Sequence, residues 1–212
     1  MKIEDFKVED EVVLWKGKPN KSVYVKEQIF TPLAIFALIW LVFDCGFLAV
    51  FFTNIFIYDE MHFMAYILIP FMLLHLMPVW IYLGRIIFSY KSWNNTNYMV
   101  TDKAIYATGG VFTVNCNRKT FQEITNVSFH QGLIDKHHNV GDVFIATGVT
   151  VSSNGRTRTA GINIIDIEDF LKVYKLISKT GTDIFSDTMY PNNLRPETND
   201  GYKTKYNNND EF

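Results

Sequence analysis

The sequence predicts a membrane α-helical hairpin joined to a small all-β domain of about seven antiparallel strands, which a C-terminal helix caps. Three observations lead to this prediction. The apolar residues of the 212-residue chain are concentrated in residues 29–88. Short runs rich in Val, Ile, Thr, Tyr and Phe follow them, separated by turn residues. An amphipathic stretch then begins after Asp166 and meets a glycine at Gly181.

Two long apolar runs predict two transmembrane helices. In residues 29–57 the only acidic, basic or histidine side chain is Asp44, and in residues 63–88 the only ones are His75 and Arg85. Each run exceeds the roughly 20 residues that a helix needs to cross a hydrocarbon core. Neither run alternates as the strands of a membrane barrel do, so helices are expected. The alternative is a buried helical hairpin in a soluble protein.

The residues that flank the two runs predict their orientation. Lysines and arginines lie before the first run and at or after the end of the second: Lys16, Lys18, Lys21, Lys26, Arg85, Lys91 and Lys103. The connecting residues 53–62 contain Asp59 and Glu60 but no lysine or arginine. Lysines and arginines that flank membrane helices are enriched on the cytoplasmic side. We therefore expect a multi-pass protein of the cell membrane with both termini in the cytoplasm. A cleaved signal is disfavoured by the long polar stretch before the first run.

After Trp93 the pattern becomes that of an antiparallel sheet. The predicted strands are Asn97–Thr101, Lys103–Thr108, Val111–Cys116, Lys119–His130, Gly141–Thr147, Gly148–Val151 and a last one that ends near Ile164. Asn154 and Gly155 suit a tight hairpin turn before that last strand. Asp166 is expected to cap a final helix that ends at Gly181.

These elements divide the chain into four segments. Residues 1–28 are an N-terminal cytoplasmic segment, and residues 29–90 are the transmembrane hairpin. Residues 93–180 are the β domain, and residues 181–212, rich in Asn, Asp and Thr, are a disordered tail.

The order of segments resembles a known family. The residues that carry the likeness are Glu11–Asn20 before the first apolar run, Asn97–Ile105 at the first hairpin, Phe121–Val127 in a central strand and Val140–Ile145 later. The chain resembles bacterial PH-like domain proteins, in particular those with a Glu-x-x-Leu-Trp-x-Gly-x-Pro opening, two membrane helices and one PH-like domain. The resemblance implies a PH-like barrel that binds lipids, peptides or proteins rather than a catalyst.

Composition and motifs limit the kinds of binding and catalysis that the chain can carry out. The net charge of −2 excludes a strongly basic nucleic-acid binder. No motif for a nucleophile with its base, for a metal or for a phosphate-binding loop is present, so we expect no enzyme activity and no cofactor. His130, His137 and His138 follow Cys116 at spacings that match no closed metal site. Solvent-exposed loop histidines are the simpler interpretation.

Four residues are candidates for a site. Asp44 and His75 lie near the middle of the two predicted helices, at similar depth, and form a candidate intramembrane polar pair. The pair is either a clasp between the helices or part of a proton or ion pathway. Arg156 and Arg158 follow the Asn154-Gly155 turn and are candidate contacts with the anionic inner leaflet. The simpler interpretation of these arginines is a solvated hairpin tip.

Taken together, these features predict an integral, membrane-anchored interaction or scaffold module whose PH-like domain faces the cytoplasm. Its expected partners are the lipid bilayer and a protein, with homo-oligomers left open and nucleic acid excluded. The alternative is an oligomeric transport or proton-relay component that uses Asp44 and His75.

Overall fold

The computed structural model describes residues 2–57, 62–153 and 156–189. These residues form two compact units. One unit, the β unit, comprises residues 2–24 and 92–189, and the other, the helical unit, comprises residues 25–91 apart from the gap. The helical unit is therefore an insertion in the sequence of the β unit.

The order of elements follows from the local sequence patterns. The strands are β1 (Val13–Gly17), β2 (Asn97–Thr101), β3 (Ala104–Gly109), β4 (Asn115–Thr120), β5 (Ile124–His130), β6 (Gly141–Ser153) and β7 (Arg156–Ile167). The helices are α1 (Lys21–Ile29), α2 (Pro32–Ile57), α3 (His62–His75), α4 (Met77–Asn95), α5 (Leu133–His138) and α6 (Phe170–Met189). Single 3-10 turns lie at Ile3–Phe6 and Phe121–Glu123.

The first sheet has the order β1-β2-β3-β4, and its strands are antiparallel. Its first strand lies within residues 1–28, which the sequence predicted to be a segment separate from the β domain. Gly17, the last residue of β1, pairs with Tyr98 near the start of β2. The chain therefore leaves the sheet and returns to it at neighbouring positions, although roughly 80 residues lie between them.

The second sheet has the order β5-β6-β7 and is also antiparallel. Apolar side chains from both sheets and from α6 form one core: Tyr98, Val100, Ile105, Phe121, Val143, Ile145, Ile162, Ile164, Ile167, Phe170, Val173, Leu176 and Ile177. The buried positions on α6 recur at the spacing of one helical face, so α6 covers the core as an amphipathic cap. Two antiparallel sheets with a C-terminal helix fit the predicted PH-like architecture.

Several boundaries differ from the sequence-based expectations. The strand expected at Val111–Cys116 lies later, as β4, and the long strand Lys119–His130 is divided by the turn Phe121–Glu123. The two strands expected within 141–151 are one strand, β6. The local patterns identified strand-forming residues but not the exact turns between them, because short apolar runs carry little information on register.

The final helix also differs at both ends. Asp166 does not cap it: Asp166 lies in β7 with φ of 55°, and the helix begins at Phe170. The helix does not stop at Gly181 but continues to Met189. A glycine inside a helix is tolerated at about 1 kcal/mol relative to alanine when packing on either side holds the helix. Residues 190–212, part of the expected tail, lie outside the described residues.

In the helical unit, α2 is long and apolar, and α3 and α4 meet at a bend. Among the described residues, Pro32–Asn54 is the one helix whose length and composition suit a membrane span. Tyr66–His75 and Met77–Asn95 meet the same criterion only together, as a pair bent by 50°. The bend precedes Pro78, which lacks the amide hydrogen that a straight helix would need there. The connecting residues Asp59 and Glu60 lie outside the described residues.

The β6–β7 hairpin supplies a stability test at Gly161, which pairs with Ala146. A methyl group at this position would lie 2.1 Å from the carbonyl oxygen of Ile145, which is backbone and cannot move aside. We expect Gly161→Ala to lower the free energy of unfolding by about 1–3 kcal/mol, measured by denaturant titration of the full chain in detergent. Gly109→Ala is the matched control, because its methyl group would meet nothing closer than 3.9 Å. Equal stability of the two variants would contradict this packing.

Candidate functional site

Glu11 lies at the centre of a buried polar network in the β unit. Only 4% of Glu11 is exposed, and its Oε2 lies 2.7 Å from the Thr101 hydroxyl and 3.0 Å from the Tyr106 hydroxyl. Arg118 completes the network: its Nη2 donates to Glu11 Oε1 at 2.7 Å, and its Nε donates to the Tyr106 hydroxyl at 2.8 Å. The network joins the segment before β1 to β2, β3 and β4.

The charge of Glu11 is stabilised by these partners. Burial is the strongest single influence on this carboxyl and acts to raise its pKa. The hydrogen bonds from Arg118, Thr101 and Tyr106 together outweigh burial, so the pKa of Glu11 lies below its usual value. The hydrogen bond to Glu11, and then the one to the Tyr106 hydroxyl, raise the pKa of Arg118. The arrangement has the features of a structural ion pair, in which the carboxylate is buried and the Arg118 side chain is partly exposed.

The other residues of the Glu-x-x-Leu-Trp-x-Gly-x-Pro opening also have structural roles. Leu14 and Trp15 pack against the core of the β unit. A methyl group on Gly17 would lie 2.2 Å from the Trp15 ring, so glycine leaves room for that ring. The Pro19 carbonyl accepts a hydrogen bond of 2.7 Å from Trp93 Nε1. The sequence displays this motif but does not reveal its role, because its partners lie far along the chain.

The chain segment that leaves the β unit and the segment that re-enters it are in direct contact with each other. Lys18 Nζ donates to the Asn94 carbonyl at 3.1 Å and lies 4.0 Å from the centre of the Trp93 ring. The Tyr24 and Ser92 hydroxyls lie 2.9 Å apart. Burial lowers the pKa of Lys18. These contacts hold the two segments side by side where they leave the first sheet.

Asn20 connects this region to the second sheet. Its backbone amide donates to the Asp166 carbonyl at 2.8 Å, and its side-chain amide donates to Glu168 Oε1 at 3.0 Å. Ile167, the last residue of β7, pairs with Gly141, the first residue of β6. The exit of the chain, the end of β7 and the start of β6 therefore lie at the same end of the β unit.

A groove lies between β5 and the second half of α6. It has a volume of about 700 Å³. No charged residue lines it: the lining consists of Phe121, Gln122, Ile124, Thr125, Asn126, Val127, Tyr174, Ile177, Ser178, Gly181, Thr182, Ile184 and Phe185. Within the described residues β5 pairs with β6 alone, so its other edge faces this groove. No sequence pattern marked this site, because it depends on the packing of α6 against the strand.

The structure brings Asp44 and His75 together within the helical unit. His75 Nδ1 lies 3.0 Å from Asp44 Oδ1 and 3.3 Å from Oδ2. Asp44 is almost fully buried, at 1% exposure. The imidazole is stacked between two rings, with its centroid 4.9 Å from that of Trp40 and 5.4 Å from that of Phe71. The aromatic contacts fix the position of the imidazole beside the carboxylate.

Two tryptophans satisfy backbone groups at the bend between α3 and α4. Trp40 Nε1 donates to the His75 carbonyl at 2.9 Å, and Trp80 Nε1 donates to the Leu73 carbonyl at 2.9 Å. A bend before a proline leaves carbonyl groups without their helical donors, which is costly in an apolar setting. The indoles replace those donors. Asp44, Trp40 and His75 thus form one clasp between α2 and the bend.

The candidate surface arginines lie far from the exit of the chain. Arg158 pairs with Val151 near the β6–β7 turn and is exposed, whereas the exit lies at the opposite end of this hairpin. The side chain of Arg156 lies outside the described part of the molecule. Arg158 therefore lies at the end of the β6–β7 hairpin that is opposite Gly141 and Ile167.

The structure separates Cys116 from the histidines of α5 and brings two buried acids together. His137 and His138 lie side by side on α5, with ring centroids 5.1 Å apart, whereas Cys116 lies on β4 of the other sheet. The carboxylates of Asp135 and Asp166 are buried and come within 4.8 Å of each other. Burial, and then the charge of Asp135, raise the pKa of the neighbouring Asp142.

The Glu11 network predicts a pH-dependent stability. A glutamate whose pKa is lowered by folding stabilises the fold above its unfolded pKa of about 4.5, and this stabilisation is lost as the pH falls through the folded value. We expect Glu11→Gln to reduce the free energy of unfolding by about 1.5–3 kcal/mol at pH 7. The difference from wild type should shrink below pH 4.5, as measured by denaturant titrations across pH. Glu9→Gln, at an exposed neighbouring position, serves as the control.

The clasp predicts energetic coupling between α2 and α3. Asp44→Asn and His75→Leu should each destabilise the full chain in detergent, and the double variant should lose less than the sum of the two. A coupling free energy of about 0.5–3 kcal/mol is expected for residues in direct contact. Thermal unfolding of the four proteins measures it. Additive losses would show that the contact contributes nothing.

Comparison with known proteins identifies the family. The chain matches the Bacterial PH domain family over residues 29–180, which include α2 to α4 and every strand except β1. Searches among curated proteins and among solved structures each gave no match. The match covers well over half of the chain and agrees with the two antiparallel sheets and the capping helix. The chain belongs to the bacterial PH domain family.

Proposed function

We propose that this protein is a membrane-anchored, non-enzymatic interaction module whose PH-like domain faces the cytoplasm and binds a partner protein. Membership of the bacterial PH domain family supports the general class, because PH-like domains are generally binding modules rather than catalysts. The partner site is the groove between β5 and α6. The observation that carries this assignment is a groove without charged residues, bordered by a strand edge that pairs with no other strand among the described residues.

The connection between β1 and β2 supports a two-helix anchor. Gly17 and Tyr98 are paired neighbours, so the chain that leaves at one must return to the other on the same side of any membrane. A chain that crosses once through α2 therefore has to cross back. The bent pair α3–α4 has the length and composition for that return. Lysines and arginines near both connections, and their absence from residues 53–62, favour a cytoplasmic domain.

The groove favours an extended peptide segment as its occupant. The backbone amides and carbonyls along a sheet edge can pair with an added strand, and apolar pockets beside the edge then accept alternate side chains. β5 is well exposed along most of its length. With no charged residue in the lining, the groove suits a segment whose inward side chains are apolar.

Site-specific crosslinking in intact membranes tests this proposal. A photoreactive amino acid at Gln122, in the groove, should capture a defined protein that the same amino acid at Asn117, exposed on β4, does not capture. The captured protein, purified and added to the full chain, should slow amide hydrogen exchange along β5. Capture at both positions alike, or unchanged exchange in β5, would rule out the groove as the binding site.

A bulky substitution in the groove should block binding without unfolding the domain. Thr182 is exposed at the groove, so Thr182→Trp can fill the groove with little effect on the core. We expect the crosslinking yield from Gln122 to fall at least tenfold, about 1.4 kcal/mol of binding free energy. Lys172→Trp, at an exposed position of α6 outside the groove, is the matched control. An equal loss in both variants would contradict the assignment.

A further inference from the structure

Several exposed apolar and basic side chains gather at one end of the β unit. In an antiparallel meander, alternate connections lie at the same end of the sheet. The β1–β2 exit and the β3–β4 loop, residues 110–114, are therefore at one end of the first sheet. The contacts of Asn20 with Asp166 and Glu168 place the β5–β6 connection, with α5, at this end too. We call the β3–β4 loop, α5 and the exit residues 18–21 the exit face.

The β3–β4 loop presents an aromatic side chain at the exit face. Phe112 is 74% exposed, and Val114 beside it is also exposed. The loop has a defined shape, because Gly110 adopts φ of 123°, a conformation that side chains disfavour. Asn95, the last residue of α4, holds the loop by donating from its side-chain amide to the Gly110 carbonyl at 2.8 Å. The aromatic tip is thus fastened directly to the end of the helix that re-enters the β unit.

α5 presents a second apolar tip with basic neighbours. Leu133 is 90% exposed, and Lys136 and His137, three and four residues later, are exposed on the same helical face. Asp135 points the other way: it is buried, and its Oδ2 accepts from the Gly132 amide at 2.8 Å. At the exit itself, Lys21 is exposed and its ammonium lies 5.2 Å from the centre of the Trp93 ring. Two acidic side chains at this end have partners: Glu168 accepts from Asn20, and Asp169 pairs with Lys172.

We propose that the exit face rests on the anionic inner surface of the bilayer, with Phe112 and Leu133 inserted among the headgroups. Exposed aromatic and aliphatic tips beside lysines are what an interfacial lipid contact requires. Both tips lie at the end of the β unit from which the chain continues into the apolar helix α2. This inference rests on the proposed membrane anchor, and it assigns lipid contact to this face instead of to Arg158 at the far end of the β6–β7 hairpin.

Spin labels on the full chain in phosphatidylcholine vesicles that contain phosphatidylglycerol test this inference. Labels are attached to Phe112→Cys, Leu133→Cys, Val149→Cys and Val42→Cys, each in a chain that also carries Cys45→Ala and Cys116→Ala. Val149 is a matched control, since it is an exposed apolar residue on β6 away from the exit face. Val42, exposed on α2, reports on the anchor. Collision rates with oxygen and with a water-soluble nickel complex measure the environment of each label.

The labels at 112 and 133 should collide severalfold less with nickel than the label at 149, and more with oxygen. If instead they match the label at 149 while the label at 42 is shielded, the anchor stands and the exit face does not touch lipid. A label at 42 that is open to nickel would overturn the anchor itself. Lys136→Glu should increase the nickel collisions of the label at 133, and Lys103→Glu, at the β2–β3 turn on the opposite end of the first sheet, should not. An equal effect of the two charge changes would remove the electrostatic part of the inference.

Discussion

The pairing of β1 with β2 is the constraint on which the rest of the structure depends. A flexible loop of roughly 80 residues costs about 3 kcal/mol more to close than a two-residue turn. The insertion therefore has to be compact, with its ends already close together, before the sheet gains from their pairing. In the β unit, the hydrogen bonds of Lys18, Tyr24 and Trp93 hold the two ends of the insertion next to each other. A helical insertion whose last residue comes back beside its first residue also keeps the two ends close together.

The carboxylates of Glu11 and Asp44 are both buried, and different sets of partners compensate for their burial. Glu11 is held by an arginine and two hydroxyl groups, so the charged form is stable where it lies. Asp44 has an imidazole as its partner, itself held between Trp40 and Phe71. In each case removal of one partner would leave a buried polar group without compensation, which is more costly than the net value of the pair. Both contacts join chain segments that are distant in sequence, and they therefore specify how those segments meet.

The sequence predicted those structural features that depend on a residue pattern within a short stretch of the chain. Regular apolar spacing located α6, β2 and the paired strands β6 and β7, and the similar depths of Asp44 and His75 in two long runs predicted their proximity. β1 was missed because it is short, follows a charged segment, and has its partner far along the chain. α5 was expected to be a loop because Asp135–His138 is polar, although the buried side chain of Asp135 helps to hold its first turn. The groove beside β5 arises from helix packing that no short pattern encodes.

The position of the insertion also has a consequence for synthesis. The ribosome makes β1 first, then the helices, and only then the strand with which β1 pairs. The first sheet cannot close until the helical segment has been completed and its far end has come back beside Gly17. During this interval β1 and the Glu11 carboxylate lack their native partners. Formation of the β unit thus depends on correct folding of the helical segment. A nascent chain whose helices have not folded correctly still carries an unpaired β1, which proteases can recognise.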